Sequence, residues 1–113
     1  MSDCIFCKIG GKELPAKLIF EDAEIFAFED IHPQAPTHLL ISPRKHLVSL
    51  NDATAEDTAL LGRMLLVAKQ LAAERGISGG YRTVINNGAG AGQSVDHLHL
   101  HVLGGRAMRW PPG

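Results

Sequence analysis

The 113 residues predict an α+β fold, an antiparallel sheet of about five strands carrying one long helix. Three observations lead there: short apolar runs bounded by turn residues recur five times, one stretch alone has helical periodicity, and strands never alternate with helices as in a βαβ unit. The length suits a single domain, 1–113, with a modest core that dimerisation would naturally supplement. No internal repeat and no linker between two cores is evident.

In order along the chain, residues 17–20 and 24–28 read as two short strands around a turn at Glu21 and Asp22, after a start broken by Gly10, Gly11 and Pro15. Past a loop at 33–36, residues 38–41 form an apolar run of strand length, stopped by Ser42 and Pro43. Arg44, Lys45 and His46 make a small basic turn. Thr54 with Asp57 three residues later resembles a capping box, and Leu60, Leu61, Met64, Ala68, Leu71 and Ala72 then recur at helical spacing up to Gly76, which fits the C′ position. Residues 81–85 read as a strand, 86–92 as a loop, and 97–103 as a strand of strict alternation. The tail, 104–113, contains Trp110, Pro111 and Pro112 and cannot be regular structure.

Charge excludes some partners. Eleven Lys and Arg against twelve Asp and Glu give a formal charge of -1, so no global field favours nucleic acid or an anionic membrane. The longest apolar stretch, 64–68, is far too short to span a bilayer, and residues 1–4 lack the basic and apolar regions of a signal peptide. A cytoplasmic location is the expectation, and in a reducing compartment Cys4 and Cys7 are not expected to form a structural disulfide.

The chemistry concentrates at His97, His99 and His101. Strand alternation puts their imidazoles on one face, about 7 Å apart, with Leu98, Leu100 and Val102 facing a core. Two imidazolium charges at that spacing repel by about 2.4 kcal/mol at an effective dielectric of 20, so the three are not all charged at neutral pH. A strip of neutral and charged imidazoles could supply a nucleophile, proton donors, anion contacts or metal ligands, whereas the plainer alternative is the polar side of a surface strand. Asn87, Gly88, Gly90 and Gly92 lead into this strip through Gln93 and Ser94. Such a loop either offers free amides to an anion or is simply a flexible connection. A following strand argues against a Rossmann loop, and no Gly-Lys-Ser/Thr marks a P-loop. Neutral imidazole attacks phosphorus competently, and no carboxylate cluster for magnesium is apparent.

The run His97-Leu98-His99-Leu100-His101-Val102-Leu103 resembles the histidine triad of the HIT superfamily. Asp30-Ile31, Pro33-Gln34-Ala35-Pro36-Thr37-His38, Pro43-Arg44-Lys45-His46, Gly92-Gln93-Ser94-Val95, Leu103-Gly104-Gly105-Arg106 and Trp110-Pro111-Pro112-Gly113 are similar to its Hint branch. The resemblance implies a HIT-like fold, a five-stranded antiparallel sheet with a long helix and a short one, extended across a two-fold dimer. It further implies a purine-nucleotide phosphoramidase that cleaves the P–N bond of adenosine 5′-phosphoramidate or AMP-lysine-type conjugates, with AMP, GMP and their phosphoramidates as ligands. On that basis His99 is the nucleophile that takes up AMP, His101 contacts the α-phosphate and assists proton transfer, and His97 and His38 buttress the nucleophile from behind. Asn86, Gly92, Gln93 and Ser94 match positions that hold phosphate, and Asp30 matches the carboxylate that binds the ribose. Phe6, Ile9, Phe28 and Ile31 match an apolar slot for the base, against ordinary core packing as the alternative. Trp110 belongs to a tail expected near the partner's site.

Cys4 and Cys7 offer half of a tetrahedral zinc site. The resemblance implies that some members complete such a site with residues matching His46 and His97, which would remove His97 from acid-base duty; other members work without metal, so no cofactor is required for the chemistry. A redox pair and two plain thiols are the other readings. Asp96, just before the triad, is expected to turn away from the imidazole face. Competing functions are a nucleotide-binding regulatory module with incidental catalysis, a dinucleoside polyphosphate hydrolase of the Fhit branch, and a catalytic zinc held by the three histidines.

Overall fold

A computed structural model describes residues 3–113. Met1 and Ser2, half of the start read for a leader, lie outside the described residues. The elements are α1 (Ile5–Gly10), β1 (Leu18–Glu21), β2 (Ile25–Glu29), β3 (Thr37–Pro43), α2 (Thr58–Glu74), β4 (Tyr81–Val84) and β5 (Leu100–Gly104). The strands form one antiparallel sheet in the order β1-β2-β3-β5-β4. This is the expected α+β sheet with one long helix and one short one. No helix among the described residues is long and apolar enough to cross a membrane.

Strand alternation gives each face of the sheet a different job. Ile25, Ala27, Leu39, Ile41, Leu100 and Val102 point to α2 and bury Met64, Val67, Ala68, Leu71 and Ala72 against them. On the opposite face Phe26, Phe28 and Leu40 pack with Phe6 of α1. The α2 side holds the larger core, and the α1 side holds a smaller one beside the histidines. Val67, outside the helical set read from the sequence, is buried with it.

Helix α2 is closed at both ends as its sequence predicts. The Thr54 side chain and Asp57 form a reciprocal capping box around a 3-10 turn, Ala55–Asp57, that leads into the helix. Gly76, at φ +71°, lets Ile77 donate to the Ala72 carbonyl and Gly76 to that of Ala73, the two bonds of a Schellman cap.

Two expectations change. β3 continues through Ser42 and Pro43, pairing with β2 to Ile25↔Pro43. β5 starts at Leu100, so only His101 of the triad lies within a strand and His97 sits in a bend. The cause is local hydrogen bonding: Leu98 N–H donates to the Leu47 carbonyl at 2.7 Å, and the Ser42 hydroxyl donates to the Leu98 carbonyl at 3.0 Å, diverting the chain from the ladder. Asp96 is exposed in this bend, so strand alternation does not govern its direction.

Candidate active site

On the α1 side of the sheet lies a cleft of about 260 Å³. Its apolar wall is Phe6, Ile9, Phe28 and Ile31, the residues read as a base slot, joined by Ile5, Pro15, Ala16, Leu40 and Val95. His99, His101, Asp30 and Ser94 bring polar atoms to the same cleft. Phe6 and Phe28 are each only 5% exposed and meet edge to face at 5.3 Å, so they serve both as core and as wall. Ile31, at 85% exposure, forms an outer lip. Leu40 and Val95 carry no chemical signature that would distinguish them from core in a sequence.

The His99 ring is set by a backbone group. Its Nδ1 lies 2.7 Å from the His97 carbonyl, an acceptor only, so Nδ1 carries a hydrogen and the lone pair of the neutral ring is the one on Nε2. The edge of Phe6 packs against it at 4.9 Å and the His101 ring lies 5.0 Å away. An imidazole so oriented, and lining the cleft, is placed to act as a nucleophile.

A second chain of contacts fixes His101. Gln34 N–H donates to His38 Nδ1 at 3.0 Å, which leaves the hydrogen of His38 on Nε2, 2.9 Å from His101 Nδ1. His101 Nδ1 therefore accepts, and its own hydrogen sits on Nε2. Asp30 Oδ2 is 3.4 Å from His38 Nε2, while Asp30 Oδ1 accepts from His32 N–H. Burial, then the neighbouring His99 and His38, push the His101 pKa down to about 4 against the pull of Asp30. Burial likewise lowers that of His38, with Asp30 opposing. His38 thus supports His101 rather than the back of His99.

His97 leaves the cleft altogether. It is fully buried, its Nε2–H donates to the Pro43 carbonyl at 2.7 Å, and its Nδ1 lone pair faces Cys4 Sγ at 3.2 Å and Cys7 Sγ at 3.5 Å. His46 Nδ1 lies 3.3 Å from Cys7 Sγ. Any buttressing of His99 comes from the His97 carbonyl, not its ring. Among the described residues the two groupings suited to a metal are Cys4-Cys7-His46-His97 and Asp30-His38-His101, so the three triad rings do not converge on one ion.

The glycine loop is braced from within. Gln93 Oε1 accepts from Gly88 N–H, and its Nε2 donates to the Val48 and Val95 carbonyls. Its buried side chain is thereby spent on the loop. Gly88 and Gly92, at φ +91° and +88°, need the freedom of glycine. Of the four residues matched to phosphate, Ser94 lines the cleft, whereas half-buried Asn86, exposed Gly92 and buried Gln93 belong to the loop that leads to it. Trp110 is 82% exposed beside β4, apart from the cleft of its own chain.

The HIT domain family model matches residues 11–108. An uncharacterized HIT-like protein of Synechocystis is 56% identical over 111 residues, 98% of this chain and 97% of its own. Among solved structures, a HIT family hydrolase from Legionella pneumophila is 55% identical with a TM-score of 0.96, over 98% of this chain and all of its own. A histidine triad nucleotide-binding protein from Candida albicans is 34% identical with a TM-score of 0.83, over 96% of this chain and 83% of its own.

Proposed function

The chain belongs to the HIT domain family, and we propose that it is a purine nucleoside phosphoramidate hydrolase, acting on adenosine 5′-phosphoramidate or AMP-lysine-type conjugates. The observation that carries this reading is the His99 tautomer, Nδ1–H on the His97 carbonyl and Nε2 bare. A relative named as a hydrolase and another named as nucleotide-binding support the reaction class and the ligand.

In the proposed reaction the base lies against Phe6, Ile9, Phe28 and Ile31, Asp30 receives the ribose hydroxyls, and Ser94 and the loop of Asn86, Gly92 and Gln93 hold the phosphate. The bound phosphate's negative charge favours uptake of a proton by His101. His99 Nε2 attacks the α-phosphorus, the P–N bond breaks, and the leaving nitrogen takes the proton from His101. Water then attacks the nucleotidyl-histidine, returns a proton to His101, and releases AMP with His99 restored. No step in this sequence draws on a cofactor.

The Cys4-Cys7-His46-His97 corner fits a structural zinc. Tetrahedral zinc with Zn–S near 2.3 Å and Zn–N near 2.05 Å separates nitrogen and sulfur ligands by about 3.6 Å. The nitrogen–sulfur contacts here run from 3.2 to 3.5 Å, and the Pro43 bond keeps the His97 lone pair on the nitrogen facing the thiols. The metal would cross-link α1 to the segment before β5 and supply no chemistry to the cleft. A two-fold dimer in the cytoplasm belongs to the same reading, and exposed Trp110, Leu65 and Leu66 are apolar groups such a dimer would cover.

The test is incubation with adenosine 5′-phosphoramidate, from which AMP should be released. His99→Ala should abolish release while circular dichroism shows an unchanged fold. Unchanged turnover in that variant would refute the mechanism, and faster cleavage of a dinucleoside polyphosphate would move the substrate to the competing class.

A further inference from the structure

We infer that Cys4 and Cys7 act as positioning residues for the base-binding wall of the cleft, so that occupancy of the metal corner sets nucleotide affinity rather than the rate of the chemical step. The inference rests on the zinc reading of the corner and adds a link between that corner and the cleft. That link is helix α1. Cys4 and Cys7 lie one turn apart, and so do Phe6 and Ile9; the first pair reaches the histidines of the corner, the second lines the cleft.

A helix of six residues does not hold its shape or place alone. Its C-terminal end is secured without metal: Gly10 lies so close to Phe26 that a Cβ would stand 2.7 Å from the ring, and the Arg44 guanidinium donates to the Gly10 carbonyl. At its N-terminal end the polar ties run through the two thiols, toward His97 and His46. Ile5, in the same turn, is 47% exposed and adds little anchorage. Phe6 packs on Phe28, His99 and the His97 ring, and the thiols are the polar ties of the turn that carries it.

His97 is differently placed. Its ring is fixed by the Pro43 carbonyl, and the next residue, Leu98, is held on both sides by Leu47 and Ser42. The carbonyl that sets the His99 tautomer therefore stays in place when the corner is empty, while the Phe6 and Ile9 wall loosens. Reordering that wall is then charged to nucleotide binding, and AMP affinity should fall about tenfold. Ligands that reach only the phosphate end should be unaffected.

The experiment measures zinc content of the whole protein, then titrates it with AMP and with ribose 5-phosphate by calorimetry as isolated, after chelation, and after zinc is restored. Cys7→Ser is carried in parallel, with chelation of the unaltered chain as the safeguard if that variant does not fold. We expect AMP binding to weaken about tenfold on chelation and to recover with zinc, ribose 5-phosphate binding to hold, and KM rather than kcat to change. Equal weakening of both ligands would make the corner a general support of the fold and overturn the inference. Unchanged AMP affinity in a zinc-loaded and zinc-stripped pair would overturn it while leaving the zinc reading intact. Failure to bind zinc at all would overturn both.

Discussion

Lowering the pH from 7 to 5 should cost the fold about 2 kcal/mol through one imidazole, that of His101. In the unfolded chain this group titrates near 6.5, and in the folded one near 4, because burial and then the neighbouring His99 and His38 disfavour its charge. Between those values the unfolded state binds more protons, so stability is complete above 6.5 and falls as the pH falls toward 4. For a pKa difference of that size the linkage relation gives a loss of about 1.8 kcal/mol between pH 7 and 5. His38 and fully buried His97, both shifted in the same direction chiefly by burial, add to it. Paired carboxylates do not obscure the effect: Asp22, held near 2 mainly by Arg63, and Asp57, held low by Lys45, keep their contributions until the pH drops below about 4. Urea unfolding at fixed protein concentration reads the loss directly, as a midpoint lower by about 1 to 2 M at pH 5. His101→Asn, whose amide oxygen can still accept from His38, should remove the His101 share of about 1.8 kcal/mol and leave that of His38 and His97. A midpoint that does not move between pH 7 and 5, or a loss as large in the variant as in the unaltered chain, would show that His101 is not held neutral by its surroundings.

Three further outcomes follow from single contacts. Ser42→Ala deprives the Leu98 carbonyl of the fully buried Ser42 hydroxyl, and thermal or chemical unfolding should report a loss of about 1 to 2 kcal/mol. Asp57→Ala removes both the capping box at the start of α2 and the partner 2.7 Å from Lys45 Nζ; the loss should be about 1 to 2 kcal/mol by the same measurement, and Asp57→Asn should recover part of it. Gly104→Ala would place a Cβ 2.6 Å from Ile77 Cδ1 and 3.1 Å from its Cβ, so it should lower the melting temperature, and trimming the neighbour in Gly104→Ala/Ile77→Val should restore part of the loss.

Where side-chain pattern decides structure, the sequence was sufficient. The spacing from Leu60 to Ala72, bracketed by Thr54 and Gly76, located α2, and the alternation of Leu100, His101 and Val102 located the buried and site-facing sides of β5. Phe6, Ile9, Phe28 and Ile31 line one cleft. What was not legible depends on backbone carbonyls, which every residue carries. The carbonyl of Leu47 stops β5 short of His99, that of Pro43 turns His97 toward the thiols, and that of His97 chooses the tautomer of His99. No side chain announces these contacts. The partner of His38 is hidden from the sequence for a related reason: β3 and β5 pair with His38 opposite Leu103 and Leu40 opposite His101, a register that the sequence does not fix and that brings His38 to His101.

The connection between β3 and α2 looks like a place where the chain could be lengthened or cut, but its bonds make it part of the cleft's supporting wall. The carbonyls of Leu47 and Val48 accept from Leu98 N–H and Gln93 Nε2, and Leu50 N–H donates to Asn87 Oδ1, so three successive ties bind it to the glycine loop and the triad segment. An insertion there would shift the residues beneath the nucleophile. Gly79 and Gly80, exposed and with no neighbour that an added Cβ would touch, offer the better point for new chain ends or a fused module.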